Sequence, residues 1–236
     1  MKRARLGAAL LLVLVLAAAA FAFRSRDPQR SGSNAKPDLL LLTSLPLIFG
    51  EDFSLDGGSP ALKALQSRYR VLPISVTSRP ELAKGSLLLM AHPRAQTAEN
   101  LVALDQWVRS GGRVLLLADP MLEWPSKRPL GDPLRPAAIF TDTGLLQHWG
   151  LRLEPPAERG PQPRKLGDYD VLTVSPGALS GKCAVSEDRL VARCDIGKGR
   201  AAVVADADLL DTNELGAGAS HNLDAVLEEL ASVSAR

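Results

Sequence analysis

Three aspartates stand where apolar runs stop, and their spacing could do chemistry. Asp119 follows Val114-Leu115-Leu116-Leu117-Ala118, while Asp206 and Asp208 follow Ala201-Ala202-Val203-Val204-Ala205. Such carboxylates could bind a divalent cation through oxygen. With His92, which follows a third apolar run, they could form a hydrolytic metal site. The same residues are equally suited to a structural task, in which Asp119 caps the loop backbone and Asp206 or Asp208 does likewise before the last segment. Asp211-Thr212-Asn213-Glu214 adds polar groups nearby. The sequence assigns no metal and no cofactor, and the candidate binding edge is Asp119, Asp206, Asp208, His92 and Trp124.

Other chemistries find no support in the residue order. A hydrolase or amidotransferase of the strand-turn-helix type needs a nucleophile elbow with a histidine and an acid. No Gly-x-Ser-x-Gly or Gly-x-Cys-x-Gly occurs, and His92, His148 and His221 are scattered. The expectation is a protein that is not an enzyme, with no catalytic residue. Gly197-Lys198-Gly199 precedes a strand instead of opening a helix, so it reads as a tight turn and not a phosphate loop. Trp124 lies among prolines 120, 125, 129, 133 and 136. Exposed, it could anchor a partner; folded back, it would pack on the sheet edge.

The elements that must position these residues follow from the pattern. Unbroken apolar runs bounded by turn residues fit strands buried on both faces of a parallel sheet, whose carboxyl ends are where ligands bind. Strands are predicted over 38–43, 71–76, 86–91, 113–118 and 200–205. A helix starts after Ser59 with Pro60 at its first position, with Leu62, Leu65 and Tyr69 inside. Another starts after Thr97, with Leu101, Leu104, Trp107 and Val108 on one stripe. Residues 119–140 read as a long irregular insertion. A helix over 141–149, a short strand over 151–153, a polar connection over 155–163, a strand over 169–174 and a final helix over 222–233 complete the body. The fold class is α/β: a flavodoxin-like, mostly parallel sheet with flanking helices, a proline-rich insertion and a small β-hairpin.

The N-terminus is set apart from that fold. Lys2, Arg3 and Arg5 precede the uncharged stretch Leu6 to Phe23, and Arg24, Arg26 and Arg30 close it. As a helix it would reach about 27 Å, near the thickness of a bilayer core. Ala20-Phe21-Ala22 also fits a signal-peptidase site, so residues 1–26 are a transmembrane anchor or a signal segment. Residues 27–37 read as a linker, and 38–236 as one extracytoplasmic domain. The implied location is the inner membrane, single-pass, with the body in the periplasm. The whole chain carries +2. Without the first 30 residues, which hold six Lys/Arg and one Asp, 22 basic and 25 acidic residues remain, a net of −3. No basic stripe for nucleic acid is left.

Cys183 and Cys194 are the chain's two cysteines. A hairpin centred on Glu187 to Arg189 would set them opposite each other, and an exported body permits a disulfide. Two unrelated buried thiols are the alternative. No histidine accompanies the pair, which argues against zinc.

Taken with its neighbours, Leu104-Asp105-Gln106-Trp107-Val108-Arg109-Ser110-Gly111-Gly112-Arg113 through Asp119-Pro120 resembles the helix, Gly-Gly, strand, Asp-Pro stretch of ABC-transporter auxiliary proteins. These are the membrane-anchored components related to gliding-motility transport proteins. Gly199 to Leu210, followed by His221-Asn222-Leu223-Asp224, is similar to that family's closing strand, Asp-x-Asp loop and Asn-containing last helix. The resemblance implies a class I glutamine-amidotransferase-like fold without the catalytic residues, tethered beside an ABC permease. The chain departs from the pattern in reaching Arg236 without the second span of larger relatives.

Overall fold

Residues 36–50 and 58–235 are described by a computed structural model. The anchor or signal expected over residues 1–26, and nearly all of the linker, lie outside them. Among the described residues no helix is long and apolar enough to cross a membrane.

Leucine-rich runs dictate the centre. In chain order the body forms β1 (Asp38–Thr43), α1 (Pro60–Arg68), β2 (Arg70–Pro73), α2 (Arg79–Leu82), β3 (Leu87–Ala91), α3 (Ala98–Arg109) and β4 (Arg113–Leu117). There follow α4 (Leu145–His148), β5 (Leu151–Glu154), β6 (Pro161–Leu166), β7 (Tyr169–Val174), β8 (Ala178–Gly181), β9 (Ala184–Val185), β10 (Val191–Ile196) and β11 (Gly199–Val204). Short turns lead through α5 (Thr212–Leu215) to α6 (Asn222–Ser234).

Seven strands make the main sheet in the order β2-β1-β3-β4-β11-β10-β9. The first five run parallel, and β10 and β9 add an antiparallel edge. Leu40, Leu88, Leu89, Val114 to Leu117 and Val203 to Val204 are wholly buried, as strands covered on both faces must be. Helix α6 packs against β4, β11 and β7, and α3 against β11. Both long helices with expected N-caps keep them: Ser59 accepts from Leu62 N, and Thr97 from Asn100 N.

The glycines that open β4 and β11 have one physical reason. Both strands begin against the C-terminal end of α3. A Cβ on Gly199 would collide with the Val108 carbonyl oxygen, and one on Gly112 with the Trp107 ring. Lys198 N instead donates to Arg109 O at 2.9 Å, so the turn is stitched to the helix end.

Four expectations change. Strand β2 is shorter than the predicted 71–76, ending at Pro73. The predicted 141–149 helix is a single turn, α4, since Gly144 adopts φ 100° before it. The end of the stretch expected to be a polar connection, Pro161 to Pro163, begins β6, and β8 was not anticipated. The hairpin is present, and Cys183 and Cys194 are disulfide-bonded across it with Cα atoms 4.8 Å apart.

Candidate functional site

The sheet brings the three acids together at the ends of β4 and β11. Asp119 and Asp206 are fully buried and Asp208 nearly so. Asp119 Oδ1 accepts from Met121 N at 2.8 Å, and its Oδ2 from Ala207 N at 2.8 Å and Asp208 N at 3.4 Å. Asp206 Oδ1 accepts from Leu209 N at 2.7 Å and Oδ2 from Val174 N at 2.8 Å. Asp208 Oδ2 accepts from Glu123 N at 2.8 Å. Five of the six carboxylate oxygens thus receive main-chain N–H groups, of which those of Val174, Ala207, Asp208 and Leu209 make buried bonds and would otherwise be costly orphans.

Burial pushes Asp119 up to about 6 and Asp208 to about 7. Burial, with Asp119 and Asp208 adding their repulsion, drives Asp206 well above the ordinary carboxylate range. Among the described residues no group of three or more His, Cys, Asp or Glu side chains is placed to hold a metal ion. Chemically the arrangement is a latch, closing the insertion and β7 onto the sheet edge.

Strand β7 shows how far the latch reaches. Its partner β6 places Pro161 opposite Val174 and Pro163 opposite Leu172. Val174 and Leu172 direct their N–H groups away from β6, so both pairs are non-hydrogen-bonded ones, in which the proline nitrogens face away from β7 and the missing N–H costs the ladder nothing. Val174 N is taken by Asp206, as above. Leu172 N donates to Asn222 Oδ1 at 2.9 Å, and Asn222 Nδ2 donates to Leu172 O at 2.8 Å. A side-chain amide and a carboxylate therefore cover the exposed edge of β7 in place of another strand. Asn222 also donates to Leu209 O at 2.9 Å, tying the last helix to the same corner. Sequence reasoning placed Asn222 in a family pattern but gave it no task. It missed Glu123, whose carboxylate accepts from Ser175 Oγ.

His92 lies at the end of β3 with φ 44°, and is buried. Its Nε2 donates to Ala137 O at 2.7 Å, which fixes Nδ1 as the bare nitrogen. That Nδ1 is buried without a partner, and burial holds the imidazole below its usual pKa. No hydrogen bond joins His92 to the acids. Its visible work is to pin the returning arm of the insertion, which Leu122 N to Ala138 O and Phe140 N to Asp119 O also hold. Trp124 is half-buried and packs against the core. His148 sits elsewhere, beside Asp105 and Arg109.

Comparison with known proteins places this geometry in context. Residues 36–157 match the sequence family described as ABC-type uncharacterized transport system. The match ends before β11, so it includes Asp119 but neither Asp206 nor Asp208. No curated protein matches the sequence. Among solved structures, the N-terminal domain of mmIFT52 is similar over 84% of this chain and 99% of its own, at 16% identity and a TM-score of 0.53. The exo-beta-1,4-mannosidase Op5Man5 from Opitutaceae bacterium strain TAV5 is similar over 91% of this chain, at 13% identity and a TM-score of 0.52. The GH42 beta-galactosidase Gan42B aligns over 86% at 12% identity and a TM-score of 0.50. This chain spans only 39% of the mannosidase and 31% of the galactosidase. At such identities the likeness is one of fold alone.

Proposed function

We propose, from the premise that this chain belongs to the ABC-type uncharacterized transport system family, that it is a non-enzymatic, membrane-anchored accessory component of an ABC-type transporter. It acts by binding a partner, an ABC permease or another membrane protein, through its α/β domain. Residues 1–26 hold it at the inner membrane, 27–37 tether it, and the body from 38 onward stands in the periplasm. The family match over residues 36–157 carries this reading. The commitment of five of the six oxygens of Asp119, Asp206 and Asp208 to main-chain N–H groups supports it, because carboxylates already engaged by donors are poorly placed for metal chemistry or proton transfer. The domain is on this reading a glutamine-amidotransferase-like α/β unit that has kept the layered scaffold without a nucleophile elbow.

Crosslinking the full-length protein in its native membranes, followed by affinity capture, tests the proposal. Recovery of permease and ATPase subunits of one transporter is the expected result. Capture that yields no transporter subunit would overturn it.

A further inference from the structure

Strands β5 and β8 form a ribbon of two apart from the main sheet, and its two edges differ. Lys182 N donates to Gly150 O at 2.9 Å, which makes Gly150 and Lys182 a hydrogen-bonded pair. By antiparallel alternation, the pairs Leu151–Gly181 and Leu153–Leu179 turn their main-chain groups outward. On the β8 side that edge is closed. Leu179 N donates to Arg189 O at 2.8 Å, and Arg189 Nε donates to Leu179 O at 3.1 Å. On the β5 side, the N–H and C=O groups of Leu151 and Leu153 take no partner among the described residues. Asn222 and Asp206 cover the edge of β7, whereas among the described residues no side chain does this for β5. Such an edge is a template for one more strand.

A cavity of about 820 Å³ is lined by both β5 and the returning arm of the insertion, large enough for a short stretch of peptide. Ile139, 61% exposed, and Phe140 give it an apolar wall. Strand alternation sets Arg152 on the opposite face of β5 from Leu151 and Leu153, and the pairing puts Lys182 on the face of Arg152. Both cations are exposed and line the cavity. Arg152 acts on Glu154 only at longer range, and Glu154 is bonded to Arg189 at 2.9 Å. Asp142 is the single acid of the lining, and its Oδ1 accepts from Gly144 N at 3.0 Å and Leu146 N at 3.2 Å. The open edge is therefore flanked by an excess of positive charge on one side and apolar surface on the other.

We propose that the free edge of β5 docks an extended segment of a partner protein in which acidic and apolar residues alternate. Its main chain pairs with Leu151 and Leu153, its acids face Arg152 and Lys182, and its apolar residues lie against Ile139 and Phe140. This names a surface for the partner binding inferred above and rests on that reading. A fluorescein-labelled peptide of three Glu-Val repeats is titrated into the full-length chain in nanodiscs of zwitterionic lipid, with anisotropy as the readout. A Lys-Val counterpart binds at least about tenfold more weakly, and so does the Glu-Val peptide N-methylated throughout, which cannot donate to the strand edge. Charge reversal at the two exposed positions, Arg152→Glu with Lys182→Glu, weakens Glu-Val binding at least about tenfold. No Glu-Val binding up to about 1 mM overturns the proposal. So does equal binding of the Lys-Val or N-methylated peptide, or binding that the double variant leaves unchanged. In native membranes the double variant also loses the transporter subunits that the parent captures. Equal capture overturns the docking surface and leaves the accessory role standing. A parent that captures none overturns the accessory role, and the peptide titration then decides the β5 edge alone.

Discussion

Asp119 and Ala207 are 88 residues apart in the chain, yet Asp119 Oδ2 accepts the Ala207 main-chain N–H at 2.8 Å. That bond joins the end of β4 to the end of β11, two strands that already pair in parallel. With Asp206 and Asn222 it makes one corner of the domain a closed main-chain account.

Asp206→Ala is expected to cost about 3 kcal/mol, because it orphans the buried N–H groups of Val174 and Leu209 together. Asp206→Asn keeps one acceptor and removes a buried charge, so it costs less. Urea denaturation of the two variants checks the order. Equal midpoints for Asp206→Ala and the parent would sink the latch.

The pH dependence has a definite sign. Asp119 at about 6 and Asp208 at about 7 lie above the unfolded value near 3.9, so the folded state holds more protons between them. Their contribution is therefore fully present below about pH 4 and lost as pH rises toward 7. The urea midpoint should fall from pH 5 to pH 8, and Asp208→Asn should flatten that slope. A variant with the parent's slope would contradict the assignment.

Gly199→Ala places a methyl group against the Val108 carbonyl. Backbone atoms cannot give way as a flexible side chain can, so a loss of about 2–4 kcal/mol is expected. Lys198→Ala, one residue earlier and exposed, serves as control and should change stability by under about 0.5 kcal/mol. Thermal melts of both variants decide the comparison.

The disulfide closes a loop with a sequence separation of 11. Cys183→Ser with Cys194→Ser should lower stability by about 2–3 kcal/mol, through greater freedom of the unfolded chain. The reduced parent protein should melt at the same temperature as the double variant. A parent unaffected by reductant would show that the hairpin holds without the bond.

Which parts were legible follows from where the information is local. The leucine runs, Ser59-Pro60, Thr97 and the paired glycines each carry their structural meaning within a few residues, and β1, α1, β3, α3, β4 and β11 stand where those signals put them. Strand β6 was not legible, since Pro161 and Pro163 argue against a strand taken alone. They are tolerated because the register sets both opposite residues that bond away from β6, Val174 to Asp206 and Leu172 to Asn222, so the ladder asks for no proline N–H.

The sequence by itself determined the layered α/β body, the parallel sheet and the strand ends at Asp119 and Asp206, and it offered the opposed cysteines as one of two readings. Periodicity and turn chemistry are properties of neighbouring residues. Tertiary structure decided what those aspartates do. Whether a carboxylate holds a metal, a proton or a backbone N–H depends on which donors arrive beside it. Here the donors of Val174 and Ala207 come from segments 32 and 88 residues away, a distance that no local pattern reports.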